Sequence, residues 1–121
     1  TKEVEMDFEQ MSEQALWDLA NPLMDNLMQA STEINHAKHV QDFTPRLRDI
    51  VKPDYFERVV KQYQSLKGVF TDRTQVALFK RPDSAAFVWR QGFSRVEGDY
   101  VAEMVLVYRE GKIMVDHVMV F

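Results

Sequence analysis

Cysteine is missing from all 121 positions. That excludes disulfide staples, thiolate metal sites and thiol nucleophiles, and it suits a reducing compartment. Glycine is nearly missing too. The first of only four is Gly68, so the first half has no glycine-rich phosphate loop. No run reaches the roughly 18 apolar residues of a membrane span, and there is no apolar signal-peptide core. Positive charge is not in excess. Fifteen Lys and Arg stand against nineteen Asp and Glu, for a net charge of −4, which argues against nucleic acid as a partner. Thr1 is small enough to follow a trimmed initiator Met, so a cytoplasmic protein is expected.

What remains is ordinary globular material, with 45% aliphatic and aromatic residues and 28% charged. The length fits a single domain spanning residues 1–121, large enough to bury a core without staples. There are no repeats and no linker. The first half reads as helices. Phe8, Met11, Ala15, Leu16 and Leu19 recur at helical spacing. Asn21–Pro22 reads as a cap and a first helical residue, so residues 1–20 form an extra N-terminal helix and a new one runs from Pro22 to about Ile34. "NHAKHVQDF" gives a short helix and "PRLRDIV" one turn. "KPDYFERVVKQYQSLKG" gives a longer helix with Phe56, Val59, Val60, Tyr63 and Leu66 in its stripe and Gly68 as its stop. The acidic stretch Lys2–Asp7 is expected to fray.

After Gly68 the apolar period becomes two. Strands are expected near Val69–Lys80, Ala85–Arg95, Asp99–Arg109 and Lys112–Phe121, joined by "RPDS", "VEGD" and "REGK". If each connection is a two-residue turn, register follows. Arg109 then faces Lys112, Glu97–Gly98 centres the second turn, and Pro82–Asp83 centres the first. One face collects Phe87, Trp89 and Phe93 with Leu78, Leu106, Tyr108, Ile113 and Val115, and must cover the helices. On that face lies a polar row of Thr74, Gln91 and His117, with Met104. Asp116, next to His117, points the other way. The fold class is therefore α+β, with N-terminal helices packed in the hollow of a curved four-stranded antiparallel meander.

The order of "LMDNLMQA", "HVQDFTPRL" and "YFERVVKQYQSLKG", followed by strands closing on "REGKIMVDHVMVF", resembles the cystatin-like, nuclear transport factor 2-like (SnoaL-type) α+β superfamily, in an uncharacterised bacterial branch. The resemblance spans roughly Pro22–Phe121. It implies a cone-shaped pocket between sheet and helices and frequent dimerisation through the outer sheet face. It does not assign an activity, since that fold hosts isomerases, dehydratases, cyclases and non-catalytic modules. No tyrosine–aspartate or tyrosine–histidine–aspartate catalytic set matches it here.

The residues themselves point to a candidate pocket of His117, Gln91, Thr74, Trp89, Met104, Asp72 and Tyr63. Buried polar groups need partners, and aromatics with a few convergent polar groups make a ligand site. The plainer alternative is that Gln91 and His117 bond each other or helix backbone. An Asp72–His117 acid–base pair is disfavoured, because the two strands lie about 14 Å apart in a flat sheet. The opposite face carries Arg90, Glu103, Val105, Val107, Met114, Asp116 and Val118, too many valines for plain solvent, and a second copy is the expected cover. Its alternative is a solvated face with scattered valines. His36 and His39 stand at i, i+3 with Glu33 one turn earlier, a spacing some metal sites use. Exposed histidines on a short helix are the plainer reading, and no metal or cofactor is expected. The expected function is a small-ligand-binding or assembly module, a homodimer with a pocket for an apolar-to-amphipathic molecule. The alternative is an isomerase- or dehydratase-type enzyme with His117 as general acid or base.

Overall fold

The computed structural model describes residues 6–121. A 3-10 turn, Phe8–Gln10, precedes four helices: α1 Glu13–Glu33, α2 His36–His39, α3 Pro45–Ile50 and α4 Pro53–Lys67. Four strands follow, β1 Phe70–Lys80, β2 Ser84–Phe93, β3 Tyr100–Arg109 and β4 Lys112–Val120, in the order β1-β2-β3-β4. This is the expected α+β meander, with the helices on one face. Of the stretch Lys2–Asp7, residues 2–5 lie outside the described residues. Asp7 caps the 3-10 turn through Oδ1, which accepts from Glu9 N at 3.0 Å.

The break expected at Asn21–Pro22 is absent, and α1 runs through Pro22. An interior proline costs about 3 kcal/mol. Here Leu16, Trp17, Ala20, Met24, Leu27, Met28 and Ser31 form one buried stripe on both sides of it, and breaking the helix would split that stripe. Asn21 is a tether rather than a cap. Its Oδ1 accepts from Trp89 Nε1 at 3.0 Å, and its Nδ2 donates to Gln75 Oε1 at 2.9 Å. Ser12 is the true cap, accepting from Ala15 N at 3.1 Å. In α4 the stripe is narrower than expected: Leu66 is 65% exposed.

Register follows expectation near two turns and departs from it elsewhere. Glu110 and Gly111 both have positive φ, 51° and 78°, as a tight hairpin turn with matching twist requires, and Arg109 does face Lys112. Leu78 faces Phe87 as expected. The connection between β2 and β3 is not a two-residue turn but the whole segment 94–99. Trp89 therefore faces Ala102 instead of Leu106. The shift is four residues, an even number, so Phe87, Trp89 and Phe93 keep their inward direction.

Three irregularities change the faces themselves: two in β1, at Val76 and between Phe70 and Arg73, and one in β4 at Asp116. Each adds one residue to one strand, and one residue reverses the side chains beyond it until the next irregularity. The second in β1 therefore returns Phe70 to the inner side, opposite Phe93. Past Val76, Gln75 faces Trp89 and Arg73 faces Gln91 on the helix side, while Thr74 turns outward. Past Asp116, His117 faces Val105 and Met119 faces Glu103 on the outer side, while Val118 faces Met104 on the inner side.

Candidate functional site

The β4 bulge is built from both halves of the chain. The segment before α3 pairs with β4 as a short parallel bridge: Val115 N donates to Asp42 O at 2.7 Å, and Thr44 N to Val115 O at 2.9 Å. The Thr44 hydroxyl then donates to Asp116 Oδ1 at 2.7 Å, and Arg46 Nε to the same oxygen at 3.2 Å. Arg46 Nη2 also donates to the Asp116 carbonyl. Partial burial raises the Asp116 pKa, but the Thr44 hydroxyl and the Arg46 guanidinium outweigh it and hold the carboxyl below its ordinary range. Asp116 is thus drawn to α3 and is not a residue of the outer face.

His117 is the chief correction. Its ring points away from the helices, and Nε2 donates to Glu103 Oε1 at 2.8 Å on the outer face. Thr74 and Asp72 are exposed, Thr74 through the β1 bulge. Gln91 does point inward and is fully buried, but its Nε2 donates to Thr71 O at 3.0 Å and Gly92 O at 2.9 Å. It occupies carbonyls that the irregular β1 pairing releases, and its Oε1 has no partner. Trp89 and Met104 are core, not pocket wall. Trp17 of α1 packs edge-on against Phe87 and Trp89 at ring separations of 5.2 and 5.3 Å and fills the space between helix and sheet there. Of the expected outer-face set, Arg90, Glu103, Val105 and Met114 lie there. Val107 is 4% exposed, and Val118 packs inward.

A cavity exists elsewhere. It measures about 520 Å³ and lies beneath α1, α3 and α4, against the end of β4, within the size range of ligand sites. Met24, Leu27, Met28, Leu47, Phe56, Val60, Phe70, Phe93, Val118 and Val120 line it, and Ile50, Tyr55, Val59, Met119 and Phe121 surround its mouth. Those last five are 39–55% exposed. From the expected pocket, only Tyr63 and His117 border it, His117 with its ring turned to Glu103. Tyr63 Oη shares a hydrogen bond of 2.6 Å with Ser31 Oγ. Burial raises the Tyr63 pKa, partly offset by the Ser31 and Gln64 hydrogen bonds.

Sequence reasoning missed His39 as part of this wall. It packs between Phe43 and Phe56, at ring separations of 5.3 and 4.6 Å. Burial, helped by the charge of neighbouring His36, lowers its pKa to about 4, so the ring is neutral near pH 7. His36 instead donates through Nε2 to Val51 O at 2.8 Å. The i, i+3 histidines are therefore packing groups. Among the described residues no cluster of three His, Asp or Glu is placed to hold a metal. The signal for His39 was present in the sequence, since Phe43 lies four residues on and Phe56 opens the α4 stripe.

No family model matches the chain, and no curated protein matches it. Solved structures that share the fold include the following two. One is a SEC-C motif-containing protein from Rhodopseudomonas palustris, with a TM-score of 0.55 and 14% identity, covering 86% of this chain and 90% of that one. The other is Bd1075 of Bdellovibrio bacteriovorus, with a TM-score of 0.53 and 9% identity, covering 92% of this chain. This chain spans only 44% of Bd1075. At such identities the likeness is one of fold alone. It corrects the resemblance to the cystatin-like, nuclear transport factor 2-like superfamily, which these neighbours do not carry.

Proposed function

We propose that this chain is a binding module for a small amphipathic molecule held between α1, α3, α4 and the end of β4. The observation that carries the reading is the 520 Å³ cavity with apolar walls and exposed apolar residues around its mouth. Water gains few partners on such a surface, so an apolar occupant replacing it is favoured by roughly 25 cal/mol per Å² covered. 1-Dodecanol is a suitable neutral probe. Calorimetric titration is expected to show saturable one-to-one binding, abolished by Val60→Trp, which fills the cavity from its α4 wall. Folding of the variant is checked by circular dichroism. No binding of dodecanol up to its solubility defeats the reading.

The enzyme alternative draws no support from His117, which borders the cavity but whose Nε2 is engaged by Glu103 at 2.8 Å. A twofold contact through the outer face has support of its own. Val76 and Phe79 are 58% and 56% exposed there, half-buried Val88, Val105 and Met114 continue the patch, and Arg90 and Glu103 supply both signs of charge. We infer a homodimer through this surface, expected to sediment at twice the chain mass and to become monomeric on Phe79→Glu. A wild-type monomer at high concentration rules it out.

A further inference from the structure

The cavity wall has a charge sign that the whole chain does not. The protein is acidic, yet the cavity is bordered by Arg46 and Lys67 and by no aspartate or glutamate. The two cations differ. Arg46 is already neutralised by Asp116. Lys67 has no carboxylate partner among the described residues. Its Nζ lies 4.7 Å from the Tyr100 ring centre and 5.4 Å from that of Phe93, so aromatic faces hold it in place without cancelling its charge. Its helix end does not oppose an anion strongly, because the Lys67 carbonyl accepts from Arg95 N at 3.0 Å and the Gln64 carbonyl from Gly68 N at 3.0 Å.

Position adds a second constraint. Phe56, Val60, Tyr63 and Lys67 fall at i, i+4, i+7 and i+11 on one face of α4, and all four line the cavity. The apolar strip that ends at Lys67 is thus about 16 Å long at 1.5 Å per residue. The remaining polar groups make poor rivals: Ser31 and Tyr63 bond each other, and His39 is neutral. A single ammonium with no second free cation beside it suits a monoanion better than a phosphate dianion.

Resting on the cavity reading above, we propose that the ligand is an acyl-chain carboxylate, with its chain along α4 and its carboxylate against Lys67. Both arms of the test use the full chain below the micelle concentration. Dodecanoate is expected to bind about tenfold tighter than 1-dodecanol, the value of one charge-assisted hydrogen bond. Lys67→Met, which keeps the side-chain stem, is expected to erase that preference by lowering dodecanoate affinity about tenfold. Lys67→Arg is expected to restore it. Equal wild-type affinity for dodecanoate and dodecanol overturns the headgroup assignment and leaves the cavity reading standing. A preference that survives Lys67→Met overturns it as well. If neither compound binds, the cavity reading fails and takes this inference with it.

Discussion

His39 shows how much one side chain carries here. Packed against Phe43 and Phe56, its ring favours the neutral form, with a pKa of about 4 against 6.5 for the free group. The folded state therefore binds fewer protons than the unfolded chain between those values. The stabilising contribution is complete above pH 6.5 and is lost as pH falls from 6.5 towards 4, on the order of 3 kcal/mol in all. Urea unfolding at pH 7 and pH 4.5 is expected to show the loss, and His39→Phe, which keeps an aromatic ring there, is expected to flatten it. An unchanged pH slope in that variant defeats the argument. Asn21 is the second case. Truncation by Asn21→Ala strands the indole N–H of Trp89, a residue only 1% exposed, and is expected to cost about 1–3 kcal/mol in urea unfolding. Neither role is legible from residue type: histidine at helical spacing and asparagine before proline both have commoner local uses.

At the scale of elements, the Asp116 bulge decides which side chains reach the core. Without it His117 would enter the core and Val118 would face out, the arrangement that perfect alternation implies. Thr44 secures it twice, donating to Asp116 and accepting from Leu47 N at 3.4 Å as the α3 cap. Thr44→Val removes both bonds and is expected to cost about 1–3 kcal/mol. Thermal unfolding reads that loss, and a shift within error denies Thr44 this role. The strands and α4 were legible to within about two residues, because 3.6- and 2-residue apolar periods and Gly68 are local signals, whereas the break expected at Asn21–Pro22 is absent from α1. Bulges leave no comparable mark. An extra residue within "IMVDHVMVF" looks like any other member of an apolar strand, and the partners that hold it, Thr44 and Arg46, lie some 70 positions away.

Over the whole molecule, the cavity and the outer face are two surfaces of the described residues for which occupants are proposed above. The cavity mouth lies at the end of β4, reached by Met119, whereas Val76 and Phe79 lie on β1 at the other edge of the sheet. Phe79→Glu is accordingly expected to disrupt self-association while leaving dodecanol binding intact, and Val60→Trp to do the reverse. Loss of both properties in either variant argues for a single coupled surface. No helix among the described residues is long and apolar enough to cross a membrane.

By itself the sequence determined the element order, the meander and the inward direction of Phe87, Trp89 and Phe93. Each follows from apolar spacing and short connections, and an even register error leaves faces untouched. Tertiary structure alone decided where empty space remains. Trp17 fills the hollow over Trp89, the bulges invert the middle of β1 and the end of β4, and the cavity is left under α4 and the last residues of β4. Such a void is a difference between the volumes of segments distant in the chain, and a one-residue slip is enough to move it.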